Sequence, residues 1–170
     1  HGREVGAGAF HRVDEGVIVR RLDADFIKAD LLDRLDSLTV GVTADPRYSR
    51  MTVVCSGDDQ VLDQITKQLN KLVDVRDIKV LEPDKSVSRE LILVKVRVSK
   101  ENRQNVTAIT DIFRAKVIDV GLDSMVIELT GTQSKLEAFL NLLSDGNEIL
   151  EIARTGSTGL SRGSDYVLFL

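Results

Sequence analysis

One block of this chain occurs twice. Ser49-Arg50-Met51-Thr52-Val53-Val54-Cys55-Ser56-Gly57-Asp58 lies over Asp123-Ser124-Met125-Val126-Ile127-Glu128-Leu129-Thr130-Gly131-Thr132 at an offset of about 74 positions. Met51 then falls on Met125, Gly57 on Gly131, Leu62 on Leu136, Ile65 on Phe139, Leu69 on Leu143 and Ile78 on Ile152. A strand, a capped helix and a second strand therefore recur in the same order, which predicts two similar small domains rather than one large one. The 170 residues suit two units, each of roughly 75–85 residues and each near the lower limit of what buries an adequate core alone.

Hydrophobic spacing fills in the rest. Residues 16–22 read as a strand, residues 25–38 as a helix with Phe26, Ile27, Leu31, Leu35 and Leu38 near helical spacing, and residues 39–43 as a strand. Ala44-Asp45-Pro46-Arg47-Tyr48-Ser49 is a turn, because proline presets one dihedral and aspartate bonds the local backbone. A strand at 50–56, a helix with Val61, Leu62, Ile65, Leu69 and Leu72 on one stripe, and a strand at 75–81 complete a βαββαβ unit. In the second half, strands at 91–98, 115–120, 125–130 and 149–153 alternate with helices at 102–113 and 132–143. Val106, Ile109, Ile112 and Phe113 are expected to face inward from the first of these helices, and Leu136, Phe139, Leu140 and Leu143 from the second.

The fold class is thus α+β, two tandem ferredoxin-like βαββαβ domains. The expected boundaries are a divergent stretch at 1–15, the first domain at 16–82, a linker at 83–88, the second domain at 89–163 and a tail at 164–170. Such a unit covers one face of its sheet with helices and leaves the other bare, so a homodimer is expected. The apolar tail Tyr166-Val167-Leu168-Phe169-Leu170 is compatible with docking on a sheet or with read-through sequence.

Charge and composition remove several function classes. A net charge of −4 and the absence of any block of five or six Lys/Arg leave no electrostatic footprint for nucleic acid or anionic membrane. The single cysteine, Cys55, lies in an apolar strand and reads as a small buried hydrophobe in a reducing, cytoplasmic compartment. His1 and His11 belong to no spaced ligand cluster, so no metal site is expected. Gly6-Ala7-Gly8 lacks the strand and the Gly-Lys that a phosphate loop needs. Asn105-Val106-Thr107 matches a glycosylation sequon inside a predicted helix and is read as coincidence, while Asp58 and Asp59 read as helix caps. The segment from Arg154 to Arg162, with hydroxyls and glycines between two guanidiniums, is a candidate anion loop, although a solvated loop explains the same composition. No catalytic residue is assigned.

A family resemblance runs through residues 36–163. Asp36-Ser37-Leu38-Thr39-Val40-Gly41-Val42-Thr43-Ala44-Asp45-Pro46-Arg47-Tyr48-Ser49-Arg50-Met51-Thr52-Val53-Val54 closely resembles the regulatory (small) subunit of acetolactate synthase, also called acetohydroxyacid synthase. The blocks at 61–75, 89–96 and 112–120, then Glu151-Ile152-Ala153-Arg154-Thr155-Gly156 and Leu160-Ser161-Arg162-Gly163, are similar to successive blocks of that family. The resemblance implies an amino-terminal ACT domain that senses a branched-chain amino acid, usually valine, and a carboxy-terminal ACT-like domain. It implies a noncatalytic chain that binds and activates a separate catalytic subunit in isoleucine, valine and leucine synthesis. Thiamine diphosphate, magnesium and FAD would belong to that partner, with no cofactor on this chain.

Upstream of Asp36 the resemblance stops. The family's Gly-Tyr-Asn-Ile is replaced by Leu32-Asp33-Arg34-Leu35, and both effector-binding asparagines are missing. By motif position Arg34, Leu35, Asp36 and Ser37 are the effector-binding residues, and an arginine where the family has asparagine implies little valine response. A shifted reading frame, a fused leader and adaptation all give such a break. Two other readings on this fold are an acylphosphatase-like hydrolase and a ligand-responsive transcriptional regulator. The first lacks a placed asparagine beside an anion-holding arginine, and the second lacks a basic DNA-binding element.

Overall fold

The computed structural model describes residues 12–19, 35–56 and 59–164, with 12–19 as backbone alone. Two compact units share the chain: residues up to Val87 together with those from Gly159 onward, and residues Ser88–Thr158 between them. By contact, residues from Gly159 onward group with the first unit, whereas the sequence reading sets 89–163 together.

In the first unit four antiparallel strands run in the order β2-β3-β1-β4. They are β1 (Arg12–Val19), β2 (Leu35–Val42), β3 (Ser49–Ser56) and β4 (Val75–Leu81), with helix α1 (Asp59–Leu69) between β3 and β4. Pro46 sits at the second position of the β2–β3 turn. Tyr48 N–H donates to Asp45 O at 3.0 Å, and Thr43 Oγ1 donates to the same carbonyl at 2.7 Å. Alternation along β3 sends Met51, Val53 and Cys55 to the helix side, where Ile65 and Leu69 meet them four residues apart. Leu35, Leu38, Val61, Leu62, Leu72, Val75 and Ile78 close the periphery of this core.

The predicted helix over 25–38 needs correction at its end. Leu35 to Leu38 open β2, pairing from Leu35 opposite Cys55 to Leu38 opposite Val53. The register shifts between Leu35 and Ser37, so Asp36 is an extra residue. That bulge puts Leu35 and Leu38 on one face three residues apart, a spacing that mimics a helix in sequence. Residues 20–34, where the rest of that helix was expected, lie outside the described residues, as do His1, His11, Asp58 and the tail from 165.

The second unit repeats the pattern with a fuller core. Its sheet has the order β6-β7-β5-β8, built from β5 (Ser86–Arg97), β6 (Lys116–Val120), β7 (Ser124–Gly131) and β8 (Ile149–Arg154); β9 (Thr158–Ser161) also pairs with β5. Helices α2 (Arg103–Phe113) and α3 (Gln133–Ser144) share one face. Ile92, Val94, Val96 and Val98 alternate inward from β5 and its end, Met125, Ile127 and Leu129 from β7, and Val106, Ile109, Leu136, Phe139 and Leu143 from the helices. Each such aliphatic side chain taken from water contributes roughly 1.5–3 kcal/mol. Phe113 stands edge-on to Phe139 with ring centroids 5.3 Å apart.

Ile112 was expected inside, yet it is 72% exposed. Helix α2 ends one residue later, and its inward stripe is completed by Phe113 and Ala115 instead. The end is a Schellman motif: Ala115 N–H reaches Thr110 O at 2.9 Å and Arg114 N–H reaches Asp111 O at 3.0 Å, with Arg114 left-handed at φ 55. At the start of α3, Thr132 accepts from Lys135 N–H at 3.5 Å, as its place before the apolar stripe suggested. The repeat seen in sequence is a repeat in space: Met51 and Met125 occupy matching strands, and Ile65 and Phe139, then Leu69 and Leu143, occupy matching helices.

Candidate functional site

Three of the four effector-binding candidates, Leu35, Asp36 and Ser37, lie at the bulged start of β2. Leu35 is half-buried against the helix-side core, Ser37 is half-buried opposite Val54, and Asp36 is exposed with Oδ2 accepting from Ser56 Oγ at 2.5 Å. Arg34 lies outside the described residues. A bulge turns a strand and re-aims the side chain it carries, so this is a place where a sheet edge can be shaped toward a ligand. Leu35 packs against the core, and Asp36 and Ser37 bring a carboxylate and a hydroxyl to the start of the strand.

The candidate anion loop is committed elsewhere. Arg154 lies 3.9 Å from the carboxylate of the nearly buried Glu90. Arg162 donates from Nε to Ser86 O at 2.9 Å and from its backbone N–H to Lys85 O at 2.8 Å. The two guanidiniums thus serve the strand framework, and Thr155 bonds Leu91 O at 3.3 Å rather than facing an open cradle.

Among the described residues the perturbed titrations lie at scattered places. The Arg47 side chain and backbone N–H hold Asp45 down to about 2. A hydrogen bond from Ser99 lowers Glu101, a bond to Glu82 raises Lys85, and burial lowers Arg50. Among the described residues no group of three or more His, Cys, Asp or Glu could hold a metal ion. Cys55 is buried and in no disulfide, as the apolar run around it implied. Among the described residues no helix is long and apolar enough to cross a membrane.

Sequence reasoning passed over Arg50. It stands on β3 beside the apolar run 51–55, partly buried, donating from Nη2 to Gly159 O at 2.9 Å, and its Nε has no hydrogen-bond partner. The signal was a lone guanidinium adjoining a strand otherwise destined for the interior.

Comparison with known proteins identifies the family. Residues 89–163 match the family model "Small subunit of acetolactate synthase", and residues 34–77 match "AHAS small subunit-like ACT domain". The probable acetolactate synthase small subunit of Methanothermobacter thermautotrophicus is 47% identical over 131 residues, covering 76% of this chain and 77% of its own. The acetolactate synthase small subunit of Mycolicibacterium smegmatis is 50% identical over 129 residues, covering 76% and 75%. The crystal structure of the acetolactate synthase small subunit from Thermotoga maritima superposes with a TM-score of 0.80 at 35% identity, covering 91% of this chain and 99% of that one. The two-domain α+β architecture, the ordered matches and these identities place the chain in one family: it belongs to the small subunits of acetolactate synthase, the noncatalytic subunits of that complex.

Proposed function

We propose that this chain binds the catalytic subunit of acetolactate synthase and raises its activity, thereby acting in branched-chain amino-acid synthesis in the cytoplasm. The observation that carries this reading is the pair of family matches in chain order, residues 34–77 followed by 89–163, over two sandwich-like units. Thiamine diphosphate, magnesium and FAD are assigned to the catalytic partner. The test is co-purification of the two chains and assay of the pair; a catalytic subunit that neither binds this chain nor responds to it sinks the proposal.

The working form is proposed to be a homodimer. Support comes from edge strands that carry exposed apolar residues: Val40 and Val42 on β2, and Val117, Ile118 and Val120 on β6. Edges of this kind template pairing with a second chain. Light scattering at micromolar concentration should give twice the chain mass, and a monomeric mass would contradict it.

Valine, or another branched-chain amino acid, is the proposed effector, bound weakly by the motif positions Arg34, Leu35, Asp36 and Ser37. The Asp36 bulge supports a shaped site, whereas the sequence change at Arg34 argues for low affinity. Calorimetry should show little valine binding, and a tight isotherm would overturn this part alone.

A further inference from the structure

Arg50 carries two features that pull in opposite directions. Its Nη2 holds the buried carbonyl of Gly159 at 2.9 Å, which pins the segment running from Gly159 to Arg162 onto the first unit. Its Nε is buried without an acceptor. A guanidinium taken partly from water with one donor unsatisfied is a costly arrangement, so the pinned state is held at a disadvantage.

An alternative position for the side chain exists next to it. Gly41 is the residue directly opposite Arg50 on the edge strand β2, so both point to the same face. Gly41 is exposed, and a Cβ built there meets nothing within 4 Å. A guanidinium swung over Gly41 would keep its charge hydrated and satisfy every N–H with water, at the cost of releasing Gly159.

We propose that residues 159–162, most of them in β9 and already paired with β5, are further latched by Arg50, a two-position bolt either bonded to Gly159 or lying hydrated over Gly41. Arg162 supplies the other end of the latch through Lys85 O and Ser86 O, and Ser86 is itself fixed by its Oγ bond to Glu82 O at 2.6 Å. The bolt therefore moves at one end while the other stays hinged. Arg50, Thr52 and Val54 alternate onto the face of β3 opposite the helix-side core, and Arg50 is the one of the three that is only partly buried. This inference is independent of the activation reading, because it concerns the chain on its own.

Amide hydrogen exchange on the full chain tests it. Arg50→Ala removes the bolt and should speed exchange of the amides at 159–162 about tenfold. Gly41→Val fills the outward position on an exposed strand that accepts β-branched residues, and should slow the same amides at least threefold. Amides of β7 should be unchanged in both. Unaltered or faster exchange in Gly41→Val overturns the proposal even if Arg50→Ala fails to fold, and unaltered exchange in a folded Arg50→Ala overturns it equally.

Discussion

Asn102 donates from Nδ2 to Oδ1 of Asn147 across 3.0 Å, joining the start of α2 to the turn that follows α3. Each amide is fully engaged. Asn102 Oδ1 accepts from Ser99 N–H at 2.6 Å and its Nδ2 also reaches Arg97 O at 3.2 Å, while Asn147 Nδ2 donates to Leu143 O at 2.9 Å. The bridge satisfies the Leu143 carbonyl at the end of α3 and ties it to the residue that precedes α2.

Asn147→Ala strands the Leu143 carbonyl and one N–H of Asn102. Leaving buried polar groups unmade costs about 1–3 kcal/mol. Urea denaturation should show a lower midpoint with an unchanged slope. A midpoint equal to that of the parent protein would mean that water replaces the bridge without loss.

Phe139 is wholly buried and meets Phe113 edge to face. Phe139→Ala should destabilise the second unit by about 3–5 kcal/mol, the loss typical of a deleted core aromatic. Against a total of about 5–15 kcal/mol for a domain this threatens folding. Phe139→Leu, which keeps most of the volume, should remain folded with a smaller loss, and thermal unfolding followed by circular dichroism separates the two.

Arg114 adopts φ 55 to close α2, a conformation in which its Cβ is strained. Arg114→Gly should raise stability by about 0.5–1 kcal/mol, the relief of the left-handed penalty less the extra chain entropy of glycine. An unchanged or lowered melting temperature would show that the arginine side chain contributes more than its backbone costs.

Asp45 accepts from Arg47 Nη2 at 2.6 Å and from Arg47 N–H at 3.0 Å, and these bonds bring it from its ordinary 3.8 to about 2. Because the folded value is the lower one, its contribution is complete above about 4 and vanishes as pH falls through about 2. Carbon-detected titration of the Asp45 carboxyl should find its midpoint near 2. In Arg47→Ala it should return toward 3.8. Coincident midpoints in the two proteins would rule out the pairing.

Much of this fold could be read in the sequence because its signals are local. Met51 and Met125 announced the repeat, and Leu136, Phe139 and Leu143 announced the helix that buries them. Reading failed where geometry departs from a simple period. The Asp36 bulge placed Leu35 and Leu38 three apart on a strand and so imitated a helix. Ile112 keeps the i+3 spacing from Ile109 yet falls to the side of the inward stripe made by Val106, Ile109, Thr110 and Phe113. The partners of Arg154 and Arg162 were invisible because Glu90 and Ser86 are distant in sequence, and only the folded strands bring them near. Arg50 and Gly159 are 109 residues apart, and no local pattern could have paired them.

The central claim is that this chain does no chemistry itself and raises the rate of a partner that does. The most direct measurement is the initial rate of acetolactate formation from pyruvate by the catalytic subunit, by this chain, and by the two together. The account requires a rate several-fold higher for the mixture than for the catalytic subunit, and none for this chain alone. Equal rates with and without this chain, or acetolactate made by this chain unaided, would contradict it.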